Sequence, residues 1–210
     1  MKRKKSQILS IPGAVGQLEI RLTETDSSDL AKPAGLVVIS HPHPEFGGTM
    51  DNKVVTTIER SFQGLGYSTL AYNFRGVGSS EGEYDGGAGE QKDLAYVVSW
   101  ARDKLTFGEL VLSGFSFGAY VTLSAQPCLN ANRLLIVAPP VGLYDFSGIE
   151  EVSVPWEVVI GLQDEVVEPR EMLDWAVSRE QQPTLYCRAQ GSHFFHGQLV
   201  WLKKLISFTY

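Results

Sequence analysis

The chain has 210 residues, 43% of them hydrophobic and 20% charged, and carries a formal net charge of −6. That length and composition fit a single soluble domain, residues 1–210, large enough to bury a full hydrophobic core. The acidic balance excludes the basic field that nucleic acid or an anionic membrane requires, and no apolar run approaches the roughly 20 residues that span a bilayer.

The chain opens on a basic run, Lys2-Arg3-Lys4-Lys5, without the apolar stretch of a secretion signal. It reads as a solvated terminus, and the cytoplasm is the expected compartment. "QILSIP" and the alternating "GQLEIRLT" (16–23) predict two paired strands, the second half exposed. "GLVVIS" (35–40) is apolar nearly throughout, as a strand buried on both faces must be. It leads into the loop "HPHPEFGGTM" (41–50) and a helix over "NKVVTTIERSFQGLG" with a glycine stop. "YSTLAYNF" (67–74) predicts another buried strand, followed by the loop "NFRGVGSSEG" (73–82) and a helix over "GEQKDLAYVVSWARDK". "ELVLSG" (109–114) runs into "GFSFG" (114–118), and an apolar helical run follows Ser116. "RLLIVAP" (133–139), "EVVIG" (157–161) and "TLYCR" (184–188) repeat the buried-strand character, and "PREMLDWAVSRE" and "GQLVWLKKLISF" supply the last helices. No internal repeat or low-complexity linker interrupts the pattern.

Strands and helices in this alternation predict a mostly parallel sheet with helices on both faces, in which ligands bind beyond the carboxyl ends of the strands. At those ends stand, in chain order, Ser116, Asp164 and His193. Acyl transfer needs this trio: a hydroxyl nucleophile, an imidazole to take its proton, and a carboxylate to fix the imidazole tautomer. Ser116 sits in Gly-x-Ser-x-Gly between a buried strand and a helix, where side chains at Gly114 and Gly118 would collide. For the acid, Asp164 lies nearest its strand end; Glu165, Glu168 and Asp145 compete, with Asp145 the runner-up. For the base, His193 and His196 share one loop, and His193 follows Gly191-Ser192 in its more flexible part, the better place for an exposed imidazole.

An oxyanion needs backbone donors. Phe117, the residue after the nucleophile and at a helix start, supplies one. The other is expected from the loop after "GLVVIS", where Pro42 and Pro44 have no N–H; His43 is the first amide available and Glu45 the fallback. His41-x-His43 has no further ligand at metal spacing, so neither metal nor cofactor is expected. Cys128 and Cys187, far apart in sequence, read as reduced, buried thiols. Phe46, Phe117, Phe194 and Phe195 line either an acyl pocket or the core; both readings stay open.

The motifs "HPHPEFGGTMDNKVV", "NFRGVGSSEG", "GFSFGAY", "GLQDEVV" and "GSHFFHG", in this order, resemble the α/β-hydrolase superfamily over essentially the whole chain. More closely, the sequence is similar to small, lidless bacterial hydrolases related to dienelactone hydrolases and to the catalytic domain of Xaa-Pro dipeptidyl-peptidases. The resemblance implies an α/β-hydrolase fold, with Ser116 as nucleophile, Asp164 as acid, His193 as base, and His43 and Phe117 lining the oxyanion hole. It also implies that Arg75 buttresses the site rather than reacts. Two departures stand out. Only residues 139–156 occupy the place where lidded relatives insert a lid, and most dienelactone hydrolases use cysteine where this chain has serine. The expected activity is hydrolysis of small carboxylic esters; thioester or amide cleavage would use the same residues. From another class, a non-catalytic binding protein could keep the same fold. The expected partner is a small-molecule ester, and the oligomeric state is not fixed by sequence.

Overall fold

The computed structural model describes residues 5–25, 35–149 and 151–210; residues 1–4, which hold most of the basic run, lie outside them. The strands are β1 (Lys5–Pro12), β2 (Gln17–Glu24), β3 (Leu36–Ser40), β4 (Ser68–Tyr72), β5 (Leu110–Phe115), β6 (Arg133–Val137), β7 (Trp156–Gly161) and β8 (Thr184–Arg188). The helices are α1 (Lys53–Gly64), α2 (Ala88–Lys104), α3 (Phe117–Ala125), α4 (Pro169–Val177) and α5 (Leu199–Thr209). All strands join one sheet in the order β1-β2-β4-β3-β5-β6-β7-β8. β1 and β2 form an antiparallel hairpin that continues antiparallel onto β4, and every pair from β4 to β8 is parallel. Among the described residues no helix is long and apolar enough to cross a membrane.

The two faces of the sheet follow from the period of two in strand side chains. On β3, Leu36 and Val38 join the cluster beneath α2, α3 and α4, whereas Val37 and Ile39 join the cluster beneath α1 and α5. Both sets are fully buried, which is why "LVVIS" carries no polar alternation. α1 shows the complementary helical period: Val54, Val55, Ile58 and Phe62 are buried, one stripe against the sheet. Its Asn52 cap accepts the Val54 amide at 2.8 Å.

This topology fixes where the site must lie. The chain passes from β3 outward to β4, then returns to β5 on the other side of β3. The loops after β3 and β5 therefore diverge at a topological switch point, leaving a crevice at the carboxyl edge of the sheet.

Two expectations need correction. "TLYCR" is not buried on both faces: β8 has only β7 as a neighbour, and its residues are exposed or half-buried. Its composition matches that of the inner strands, but an edge position exposes it. Cys128 and Cys187 are both exposed free thiols, Cys187 on that edge strand and Cys128 in the turn that ends α3.

Candidate active site

β5 ends at Phe115, and the chain turns directly into α3 through Ser116, whose φ of 55° and ψ of −122° lie outside the usual range for a side-chain-bearing residue. Such a conformation costs on the order of 1–3 kcal/mol and persists only where neighbours over-determine it. Here the Ser116 amide donates to Val137 O at 2.9 Å, and its carbonyl accepts the Ala119 amide at 2.7 Å. The flanking glycines permit the close approach. A Cβ on Gly114 would stand 2.2 Å from Gly118 O, and one on Gly118 would stand 2.4 Å from Ser40 O. The first contact sets helix against its own strand, and the second sets it against the end of β3.

Ser116 Oγ lies 2.9 Å from His193 Nε2, and His193 Nδ1 lies 2.7 Å from Asp164 Oδ2. The carboxylate can only accept, so Nδ1 carries the hydrogen and Nε2 presents its lone pair to the serine hydroxyl. Asp164 is itself anchored: its Oδ1 accepts the amides of Val166 and Val167, each at 2.8 Å. The structure thus brings Ser116, His193 and Asp164 together in one line, from β5, the loop after β8 and the loop after β7. It does not bring in the competitors. Asp145 is exposed and caps the turn at Ser147, Glu168 caps α4, and His196 is exposed. Glu165 takes another part, accepting the His193 amide at 3.1 Å. The imidazole of His193 is not exposed as expected. Only 2% of the residue is accessible, because Phe115 packs against its ring and Phe194 meets it edge-on.

The amides proposed for an oxyanion are differently placed. Phe117 opens α3, where the first amides have no intrahelical acceptor. Among the described residues neither the Phe117 nor the His43 amide donates a hydrogen bond, whereas the Glu45 amide donates to His43 Nδ1 at 3.2 Å. Because Nδ1 accepts, Nε2 of His43 carries the hydrogen and donates it to Tyr84 Oη at 3.1 Å. Burial pushes the His43 imidazole down, against the pull of the Glu45 and Glu90 carboxylates. The ring is wedged among Phe46, Tyr84 and Phe117, with centroid distances of 4.7, 4.9 and 5.1 Å.

The loop after β3 is fixed from below. His41 is fully buried; its Nδ1 donates to Pro42 O at 2.6 Å and its Nε2 accepts the Phe74 amide at 3.1 Å. Both ring nitrogens are used, and burial lowers the pKa from 6.5 to about 4. At the far end of the loop, the Met50 amide donates to Asn73 Oδ1 at 2.9 Å. Arg75 makes no contact with the reacting groups. It pairs with buried Asp93 through Nε and Nη2 at 3.0 and 2.7 Å and donates to Gly89 O at 2.7 Å, tying the loop after β4 to α2. The neighbouring Glu90 holds the segment that carries Tyr84, accepting the amides of Asp85 and Gly87 at 2.9 and 2.7 Å.

A cleft of about 160 Å³ opens over Ser116 and His193. Of the four phenylalanines left open above, Phe46 and Phe194 line it, while Phe117 and Phe195 are core. Sequence reasoning missed Tyr84, Asn52 and Val166: Asn52 and Val166 stand in motifs read for other residues, Tyr84 lies outside any motif, and all three reach the site through tertiary packing.

The family model described as X-Pro dipeptidyl-peptidase (S15 family) matches residues 28–149, a span that holds His43, Arg75 and Ser116 but ends before Asp164 and His193. A solved α/β serine hydrolase without lid from Xanthomonas campestris is 40% identical, covering 97% of this chain and 93% of that one at a TM-score of 0.90. An α/β serine hydrolase homologue from Coxiella burnetii is 37% identical, covering 97% and 96%, at 0.89. An uncharacterised protein of Rickettsia prowazekii (strain Madrid E) is 32% identical over 169 residues, 77% of this chain and 68% of that protein.

Proposed function

The chain belongs to the X-Pro dipeptidyl-peptidase (S15) family and is a serine hydrolase of the α/β fold; from that premise we propose that it is a carboxylesterase acting on small carboxylic esters. The observation that carries this reading is the unbroken hydrogen-bonded line from Asp164 through His193 to Ser116, opening on a cleft with no charged side chain among its described lining residues.

Ser116 Oγ attacks the acyl carbonyl as His193 Nε2 takes its proton. The developing oxyanion is received by the amides of Phe117 and His43, donors that no other described group claims. His43 is preferred to Glu45 because the Glu45 amide is spent on the His43 ring. The tetrahedral intermediate collapses with the proton passing from His193 to the leaving alcohol, and water clears the acyl-enzyme by the same route. Asp164 holds the imidazole in the tautomer that can accept.

The family description favours a second reading, cleavage of an amide bond after proline. A dipeptidyl-peptidase must hold its substrate's N-terminal ammonium, and among the described residues no carboxylate lines this cleft, which supports the ester. The test compares p-nitrophenyl acetate, butyrate and octanoate with Gly-Pro-p-nitroanilide, for wild type and Ser116→Ala. We expect ester turnover that falls on the order of 10⁶-fold in the variant, together with fluorophosphonate labelling at Ser116. Wild-type rates surviving in Ser116→Ala would refute the mechanism, and preference for the anilide would replace ester by amide.

A further inference from the structure

Phe46 is 86% exposed, the ring of a large apolar residue left almost wholly in water at the mouth of the cleft. It ends the short 3-10 turn Pro44–Phe46, and its one aromatic neighbour is His43 at 4.7 Å. The next residue, Gly47, has a φ of 76° and caps that turn, so the backbone holds the ring out over the cleft. The same cleft is lined by Val166, 46% exposed, from the loop after β7, and by Phe194 from the loop after β8. Three apolar side chains from three separate loops thus line the cleft that holds Ser116.

The cleft they bound has a definite size and charge. Its volume is about 160 Å³, and a cavity of about 150 Å³ takes a benzene ring. Among the described residues no Asp, Glu, Lys or Arg lines it. Apart from the histidines and the serine, its polar side chain is Asn52, a neutral amide whose oxygen is committed to capping α1. Outside the cleft, Glu45 and Glu165 are exposed and stand next in sequence to the lining residues Phe46 and Val166. Within a chain of net charge −6 they disfavour an anionic ligand.

We propose that Phe46, Val166 and Phe194 form an acyl-binding clamp for a neutral, apolar acyl group up to about the size of benzoyl or hexanoyl, with Phe46 the residue that determines specificity. This rests on the esterase reading above and adds to it the class of acyl group. In the free protein Phe46 faces water; over a bound acyl chain its ring and the chain shield each other. A chain longer than the cleft runs past the three tips into solvent and gains nothing further. A carboxylate at the end of the chain would have to be desolvated against apolar walls with no cation to receive it.

The test measures kcat/KM for p-nitrophenyl acetate, butyrate, hexanoate, octanoate, decanoate and benzoate, and for the anionic p-nitrophenyl hemisuccinate, with wild type, Phe46→Ala and Ser116→Ala. In wild type, kcat/KM rises by about threefold per added methylene up to hexanoate and then levels, benzoate equals hexanoate, and the hemisuccinate falls at least tenfold below butyrate. In Phe46→Ala, hexanoate and benzoate lose about tenfold and acetate no more than about twofold, so the chain-length profile flattens. The exposed position of Phe46 lets that variant fold, and an unchanged thermal midpoint checks it. An identical profile in wild type and Phe46→Ala overturns the clamp, as does continued gain through decanoate or a hemisuccinate turned over as fast as butyrate. In each of those cases the loss of turnover in Ser116→Ala leaves the esterase reading standing. Turnover that survives in Ser116→Ala, or no hydrolysis of any ester by wild type, overturns both.

Discussion

Replacing Asp164 by asparagine tests the part of the site that sets the histidine tautomer. Asp164 uses Oδ1 for the Val166 and Val167 amides, both at 2.8 Å, and Oδ2 for His193 Nδ1 at 2.7 Å. A carboxamide can satisfy the two amides only with its carbonyl oxygen, so its NH₂ must take the place of Oδ2 and face His193. Flipping the amide would point NH₂ at two N–H donors beside a side chain with no exposed surface. The Val166 amide is exposed and water can serve it, but leaving the partly buried Val167 amide unpaired costs about 1–3 kcal/mol. The unflipped amide therefore prevails, Nδ1 must accept from it, and the ring hydrogen moves to Nε2. That hydrogen then points at Ser116 Oγ, 2.9 Å away, where a base is required. The reactive arrangement survives only in the minority holding the flipped amide, so kcat on p-nitrophenyl butyrate should fall by about 10³ to 10⁴. The fold should persist, since every hydrogen bond of Asp164 is replaced. The assay pairs steady-state turnover with thermal unfolding of the same preparation. A folded Asp164→Asn variant retaining more than a tenth of wild-type kcat would refute the tautomer argument.

Gly114→Ala should destabilise by about 3 kcal/mol or more, because its Cβ meets only backbone, down to 2.2 Å at Gly118 O. Gly64→Ala, with open space around its Cβ at the end of α1, should stabilise by about 0.5 kcal/mol; urea midpoints that move together in the two variants would contradict the packing argument. Arg75→Met strands the buried Asp93 carboxylate and should cost about 3–5 kcal/mol in urea unfolding. Pairing it with Asp93→Leu should recover most of that, and a single variant as stable as wild type would remove Arg75 from the scaffold. The buried imidazole of His41 titrates near 4 instead of 6.5, so the unfolded chain takes up the proton first as pH falls. Its contribution is complete above pH 6.5 and is lost between pH 6.5 and 4, about 3 kcal/mol in all. Stability in urea across that window should fall more steeply for wild type than for His41→Gln, and parallel curves would count against the assignment.

The inner strands were legible because burial on both faces leaves a continuous apolar run, and "LVVIS" shows it in full. The sheet order then brings the residues after β5, β7 and β8 to one edge, which is why a serine, an acid and a histidine could be picked from strand ends alone. Burial of individual residues was less legible. "TLYCR" has the composition of an inner strand, and only the sheet order makes it an edge, taking Cys187 into solvent. His193 sits after Gly191-Ser192 as a loop residue would, yet Phe115 and Phe194 enclose it. Asp164, Glu165 and Glu168 are alike in sequence; three dimensions separate a side chain on the imidazole, one on the His193 amide, and one on a helix cap. Tyr84 had no local signal, since its contact with His43 joins residues 41 apart.

The site divides its labour between backbone and side chain. The groups that align the reacting atoms are mostly backbone: the Val137 carbonyl holds Ser116, the Val166 and Val167 amides hold Asp164, and the end of β3 abuts Gly118. Such anchors do not depend on which side chain a residue carries. The cleft walls are the opposite case. Val166 holds the acid with its amide and faces the cleft with a half-exposed side chain, and Phe46 carries no structural duty that its exposure would betray. Changing Phe46 or Val166 therefore costs little stability and leaves the line from Asp164 to Ser116 intact. With only residues 138–155 between β6 and β7, no inserted domain shares in shaping the cleft, so a few loop tips must set what enters. In the esterase proposed above, the chemistry is fixed by the sheet edge and the choice of acyl group falls to three exposed or half-buried side chains.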